Sequence, residues 1–439
     1  MRSSRILVCG AAVAAAFSIP ATVAAQDTAR GVRIGLQYDP GAKPGIIVLP
    51  VTGPQGDSIR GIIQRDLDYS DRFAVVTLSA ADAALFEGRA PSGGPVPLNY
   101  DLFARLGAAA AVKVTPTAAG LHVALHDVAK KQVSSVEDFA VAEAPMGRDW
   151  RHTIHGVSDA IERWITGQSG VAQSRVAFVD RNVIKIIDSD GAETVSLPAV
   201  GESMSPSWHP NGQLIAYHTF GLESRVVVHD LRTGRSRSLG SQRNATPSTP
   251  VFTPDGRSLA YALATEQGTD IYVVPLALDA FPRRITIGRG SINTQPSFSP
   301  DGNRVAFMSD RMGPPQVYIM DADGTNADIF TAFDFGDQNY RASPNWSPDG
   351  RQVAFQTRID GRFQIFTMSL RDRQPRQLTS EGENEDPSWA PDGRHLVFVS
   401  SRSGTRQLWV LDTESGRLRQ LTQAGGPRLP AWSPRLGGS

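Results

Sequence analysis

The stretch Gly201-Glu-Ser203-Met-Ser205 comes close to a nucleophile motif. A serine hydrolase holds its serine in Gly-x-Ser-x-Gly at a strand-to-helix turn, with an acid and a histidine downstream. Here Ser205 stands where the second glycine should be, and the flanking residues read as a loop between strands. Asp188-Ser-Asp190-Gly191 and Asp321-Ala-Asp323-Gly324 carry carboxylates at the spacing that opens a calcium loop. An EF-hand needs a third ligand before its glycine and a glutamate beyond it. Neither run supplies both, and Asp-Gly between apolar runs is the ordinary signal of a hairpin turn. His122, His126, His152 and His155 share no ligand spacing and read as surface or structural residues. The expectation is therefore no catalytic residue, no metal and no cofactor.

The elements that would have to position such groups repeat. Pro296-Ser-Phe-Ser-Pro-Asp-Gly-Asn-Arg-Val-Ala-Phe307 recurs with edits from Pro206, Pro250, Pro344 and Pro387, and a shortened copy runs Pro430-Ala-Trp432-Ser-Pro434. The opening prolines lie 44, 46, 48, 43 and 43 residues apart. A period of this size indicates propeller blades or a helical array. Proline and glycine at the same interior places of every copy exclude helices. Ser-Pro-Asp-Gly suits a type I turn, because proline presets φ at the second position. Each unit then reads as strand, turn, strand, followed by a second hairpin such as Gln316–Asp321 with its Asp323-Gly324 turn. Weak fourth strands follow, as at 376–379 and 419–422. Four short antiparallel strands make one blade.

The last copy lacks three strands, and three strands precede the first full copy, at 175–179, 182–188 and 193–197. Pairing 429–434 with 175–179 closes the ring and removes its exposed edges. The expected fold is multidomain: an N-terminal α/β domain over 45–168, then an all-β six-bladed propeller over 172–436 closed by the C-terminal strand.

Residues 1–25 read as a secretory leader, with Arg2 and Arg5 before a short apolar core and cleavage between Ala25 and Gln26. Cys9 is the only cysteine and falls in the leader, so the exported protein folds without disulfides; the periplasm is the expected compartment. Residues 26–44 read as a flexible tail bracketed by Pro-Gly pairs. In the α/β domain, 46–49, 73–77, 111–115, 121–125 and 133–139 read as strands. Ser58–Leu67, 102–106 and Arg148–Ile165 read as helices, with Asp57 as the first N-cap and Gly107 ending the second. The run 87–97 reads as a loop and 166–174 as the linker. The 44 basic and 44 acidic residues balance. That excludes nucleic acid or an anionic membrane as the main partner, since both select a basic excess. No direct membrane insertion is expected.

What remains is surface. The segments entering the innermost strands lie at one end of the central channel, and they differ between blades while the strands beneath repeat. A rigid scaffold with unlike loops is the usual geometry of a binding face. The expected contact residues there are Thr246, Thr249, Asn293, Thr294, Gln295, Arg341, Glu385, Asp386 and Arg428. Two rival classes stay open. One is a propeller enzyme with its site in the channel, for which His209 and His218 are the available histidines. The other is a carbohydrate-binding propeller at the cell wall.

The leader, the small α/β domain and the Pro-x-Trp-Ser-Pro-Asp-Gly-x-x-Val-Ala-Phe blades together resemble the TolB family of the Tol–Pal system. Gly31-Val-Arg-Ile34 with Pro44-Gly-Ile-Ile-Val-Leu-Pro50 resembles the family's mature N-terminus, and Pro430–Pro434 resembles its closing strand. The resemblance implies a non-enzymatic adaptor, monomeric outside its complexes, that supports outer-membrane integrity and cell division. It implies the peptidoglycan-associated lipoprotein (Pal) as partner at the channel mouth, with the family's contact positions on Thr246, Thr249 and Thr294. The segment 244–249 departs from the family in length and in lacking its histidine. The resemblance also implies that an N-terminal tail, including Arg30, Val32, Arg33 and Ile34, docks on TolA.

Overall fold

The computed structural model describes residues 43–77, 98–141, 146–198, 201–221, 224–239, 244–277, 280–288, 290–331 and 339–436. The expected leader, the cleavage site at Ala25 and Gln26, the tail residues Arg30, Val32, Arg33 and Ile34, and the loop 87–97 lie outside the described residues.

The N-terminal domain is one five-stranded sheet with helices. Strands β1 (Gly45–Val48), β2 (Ala74–Val75), β3 (Ala108–Thr117), β4 (Gly120–Asp127) and β5 (Gln132–Ala140) lie in the order β2-β1-β3-β4-β5. β1 runs parallel to both neighbours, and the β3–β4–β5 meander is antiparallel. Helices α1 (Gly56–Tyr69) and α3 (Arg148–Thr166) pack on each other and on one face of the sheet. Ile59, Ile63 and Leu67 of α1, spaced for one helical face, meet Ile154, Val157 and Ile161 of α3 over Val112, Val123 and Leu125. Burying a side chain of this size contributes roughly 1.5–3 kcal/mol. On the other face, Phe103 of α2 (Tyr100–Arg105) packs on Ile47 and Ala111. Asn99 caps α2 by accepting the Leu102 N–H at 3.1 Å. Asp57 does not cap α1. It sits inside the first turn, where its charge suits the helix dipole, and Gln55 holds the cap position without a side-chain bond.

Six four-stranded sheets follow, each antiparallel. The second strand of every full blade is buried on both faces, as in Val305-Ala306-Phe307 and Val353-Ala354-Phe355. The small alanine on one face leaves room for an aromatic side chain of the neighbouring blade. Phe355 and Trp346, for example, pack with Ala306 and Val317. The Ser-Pro-Asp-Gly segments form the expected turns; Gly302 N donates to Ser299 O at 2.8 Å. The ring closes as the repeat count requires. Arg428–Trp432 pairs with Arg175–Asp180, with Trp432 opposite Val176 and Ala431 opposite Ala177. Among the described residues, no helix is long and apolar enough to cross a membrane.

Candidate binding face at the channel mouth

All first strands start at the same end of the channel, and each carries the same irregularity there. The residue just before the blade proline is left-handed: Ser205, Thr249, Gln295, Ser343, Asp386 and Leu429, with φ between 45° and 56°. At that place in every blade one extra residue slips into the register against the second strand. Each slip is a β-bulge, which re-aims the side chains beside it. A left-handed non-glycine residue costs on the order of 1–3 kcal/mol and persists only where its surroundings hold it. Proline at the next position removes an N–H from an inner strand edge that has no partner strand.

The surroundings that hold these residues are the neighbouring blades. Thr249 Oγ1 accepts the Gln295 N–H at 3.2 Å and lies 3.2 Å from Thr294 Oγ1. Gln295 Oε1 accepts the Ser343 N–H at 2.8 Å. Ser343 Oγ donates to Asp386 Oδ1 at 3.0 Å, and the Leu429 N–H also bonds to Asp386. The result is a hydrogen-bonded belt across blades two to six. Its residues, with Ser205, line a channel cavity of about 600 Å³ walled by prolines and by Trp208, Trp346 and Trp432. Burial pushes the Asp386 carboxyl upward against the Ser343 and Leu429 bonds. Glu385 is pushed upward by burial too, against the Arg406 guanidinium 2.8 Å away.

The structure separates the expected contact residues. Thr249, Gln295 and Asp386 line the channel, and Thr294 touches the belt through Thr249. Thr246 begins the first strand of blade two at the mouth and is partly exposed. Arg341 donates to Gln316 Oε1 at 2.9 Å, and Arg428 donates to Asn182 Oδ1, so both guanidinium groups are tied to their own scaffold. Asn293 is a correction. It is fully buried, donating to Asp270 Oδ1 at 3.1 Å and accepting from Ser309 Oγ at 2.8 Å and Arg311 Nη2 at 2.9 Å. It anchors the strand and presents nothing to a partner. Ser205, Ser343 and Leu429 complete the ring and were not among the expected contacts. Their signal is positional, one residue before each blade proline, and side-chain type hides it.

The other motifs resolve into scaffold. Gly324 N donates to Asp321 O at 2.9 Å, closing a hairpin turn. His209 Nε2 contacts the Gly256 carbonyl at 2.9 Å, joining blades one and two. Burial pushes His218 down to about 4. Asp66, His155 and Asp190 gather ligand-type atoms within 4.8 Å of one another. However, Asp190 accepts from both Arg65 and Arg151, and His155 Nδ1 lies 2.8 Å from Asp66 Oδ2. This group is an ion-pair network joining α1 and α3 to blade six. Asp68 and Asp71 accept from Arg417 of blade five in the same seam. These seam contacts come from turns at the end of the propeller away from the mouth, and among the described residues no hydrogen bond or ion pair is seen between the α/β domain and the mouth.

A family model described as the TolB beta propeller domain matches residues 162–436. The chain belongs to the TolB propeller family. The Tol-Pal system protein TolB of Bordetella pertussis is 34% identical over 193 residues, covering 43% of this chain and 44% of the relative. Its counterpart from Bordetella bronchiseptica is 34% identical over 193 residues, covering 43% of each. The matched stretch thus spans less than half the length of these curated relatives. The crystal structure of TolB from Acinetobacter baumannii superposes with a TM-score of 0.74 at 26% identity, covering 90% of this chain and 97% of that one. That match takes in the N-terminal sheet as well as the TolB propeller.

Proposed function

We propose that this chain is a non-enzymatic periplasmic adaptor of the Tol–Pal system. It binds the peptidoglycan-associated lipoprotein at the channel mouth and supports outer-membrane integrity and cell division. The observation that carries this reading is the belt. Five residues, one from each of blades two to six, are bonded in a row against their own backbone preference, at the end of the channel opposite the described contacts with the α/β domain. A rigid, pre-organised rim limits the ordering lost on association. Thr246, Thr249, Thr294, Gln295, Glu385 and Asp386 form the contact set on this reading, with Ser205, Ser343 and Leu429 added from the geometry. Arg341 and Arg428 support the rim from within. TolA is the second partner, held by the tail that includes Arg30, Val32, Arg33 and Ile34. A stable complex at the mouth should bury about 1,200 Å² or more.

Isothermal titration of the mature chain against the periplasmic domain of the cognate lipoprotein tests the first contact. A saturable heat is expected, and none up to high micromolar protein would sink it. Deleting residues 26–37 is expected to abolish TolA binding and leave lipoprotein binding intact or stronger. Loss of both would refute separate contacts.

A further inference from the structure

Asp159 and Glu162 sit one turn apart on α3, and the linker to the propeller folds back over both. Asp159 accepts the Ala172 N–H at 2.8 Å and the Gln173 N–H at 2.9 Å, one on each carboxylate oxygen. Gly170 closes down beside them. A Cβ at Gly170 would stand 2.4 Å from Asp159 Oδ1 and 2.6 Å from Glu162 Oε2. Those two oxygens are therefore at most 5.0 Å apart, the sum of the two distances. From the far side, Arg435 of the closing segment donates to the Ser169 carbonyl at 2.8 Å and the Gly170 carbonyl at 3.2 Å. The linker is thus gripped between α3 and the end of the propeller.

The charged surroundings fix what the pair can do. Arg72, from the turn after α1, meets Glu162 Oε1 at 2.8 Å. Asp392 and Arg394 of blade five also face Glu162, and Asp66 of α1 and His155 of α3 face Asp159. Asp66, Tyr69, His395 and Arg419 line the small enclosed cavity that both carboxyls border. Glu137, Arg163 and Arg435 line the open crevice beside Asp159. Burial pushes Asp159 up to about 7 and Glu162 up to about 8. Two desolvated carboxyls at most 5.0 Å apart resist ionising together. Arg72 engages Oε1 of Glu162, which leaves Oε2 as the oxygen on the Gly170 and Asp159 Oδ1 side.

We propose that Asp159 and Glu162 form a proton-held latch on the interdomain linker: a proton shared between them keeps Ser169–Gln173 clamped to α3, and its loss releases the clamp. This goes beyond the adaptor reading and does not depend on it. The sign follows from linkage. Both carboxyls hold protons more tightly in the clamped state than in free chain. The clamp is therefore complete below the ordinary carboxylate range and weakens as pH rises through about 7 to about 8. Asp190 shifts the other way and does not titrate in that window. His155 is raised: burial works against it, but Asp66 and Asp190 outweigh that, so its net shift has the same sign as the pair. The test must separate His155 from the pair.

Hydrogen exchange at the Ala172 and Gln173 amides does so, since these two N–H groups report the clamp directly. On the mature chain, with intrinsic rates corrected, their protection is expected to fall roughly tenfold or more between about pH 6 and about pH 9. The Phe307 and Phe355 amides in the blade cores should not change. Glu162→Gln reproduces the protonated acid, keeps an acceptor for Arg72 and leaves His155 in place, so it should hold protection at the higher pH. Unchanged protection in the native chain would overturn the latch. So would a Glu162→Gln variant that loses protection as the native chain does. If core-amide protection shows that Glu162→Gln is misfolded, the carboxyl resonances of Asp159 and Glu162 in the native chain are followed from about pH 6 to about pH 9 instead, and a pair that is fully ionised throughout would overturn the latch.

Discussion

Gln295 of blade three reaches across to Ser343 of blade four, accepting its backbone N–H at 2.8 Å and donating to its hydroxyl at 3.3 Å. One side chain therefore pins a left-handed backbone in the next blade while its own backbone is pinned by Thr249 of the blade before. The mouth is a chain of such dependencies, and a change at one link should be felt at its neighbour.

Gln295→Ala removes both bonds to Ser343. Each is worth roughly 0.5–1.5 kcal/mol, so global stability should drop by about 1–3 kcal/mol. The larger effect is expected on binding, because the rim on both sides loses its fixed geometry. Affinity for the lipoprotein domain should fall about tenfold or more by isothermal titration. An unaltered affinity would detach the belt from recognition.

Asn293→Ala and Thr294→Ala should behave oppositely despite being adjacent. Asn293 is buried and satisfies Asp270, Ser309 and Arg311. Its loss leaves buried polar groups unpaired, at about 1–3 kcal/mol, and urea denaturation should show it. Thr294 is partly exposed, so Thr294→Ala should leave the unfolding midpoint within error and weaken partner binding.

Trp432 fills the seam between blades five and six, and its indole N–H donates to Ser174 Oγ at 2.8 Å. Trp432→Ala opens a cavity at the ring's closure, with an expected cost of about 3–5 kcal/mol. Ser433→Ala removes a side-chain acceptor for the Arg175 N–H and a donor to the Pro434 carbonyl, and should cost about 1–3 kcal/mol. Chemical denaturation of the two variants side by side checks the difference. Equal effects would mean the closing strand does not limit stability.

Acid should loosen the seam between the domains. Burial works against the charge on Asp71, but Lys43, Ser415 and Arg417 outweigh it and hold the carboxyl far below its usual range. A depressed carboxyl contributes stability above its unfolded value and loses it as pH falls through the folded one. Unfolding followed by fluorescence should therefore weaken progressively below about pH 4. Asp71→Asn should be less stable at neutral pH and show a shallower acid loss.

Much of the fold was legible in the sequence because repetition makes it so. Proline and glycine at fixed places in each copy left strand and turn as the sole reading. The missing strands of the last copy matched three spare strands upstream, so closure followed from counting. Both flank lengths and apolar alternation are local properties, readable one residue at a time. Asp57 shows the limit even there: a good capping residue lost its place because the helix starts two residues earlier than Ser58, at Gly56.

The site was legible only by region. Sequence reasoning chose residues by side-chain type, and so took Asn293, which the fold buries, and passed over Leu429, which the fold sets on the channel wall. Bulge register and left-handed backbone are not written in residue type; they arise when six first strands converge on one axis, and in blades two to six neighbouring strands bond to one another there. The same holds for Asp159 and Glu162. Their spacing on a helix is plain in the chain. What decides their chemistry is the linker folding over them and removing water, since desolvation is a property of three-dimensional surroundings and of nothing in the local sequence.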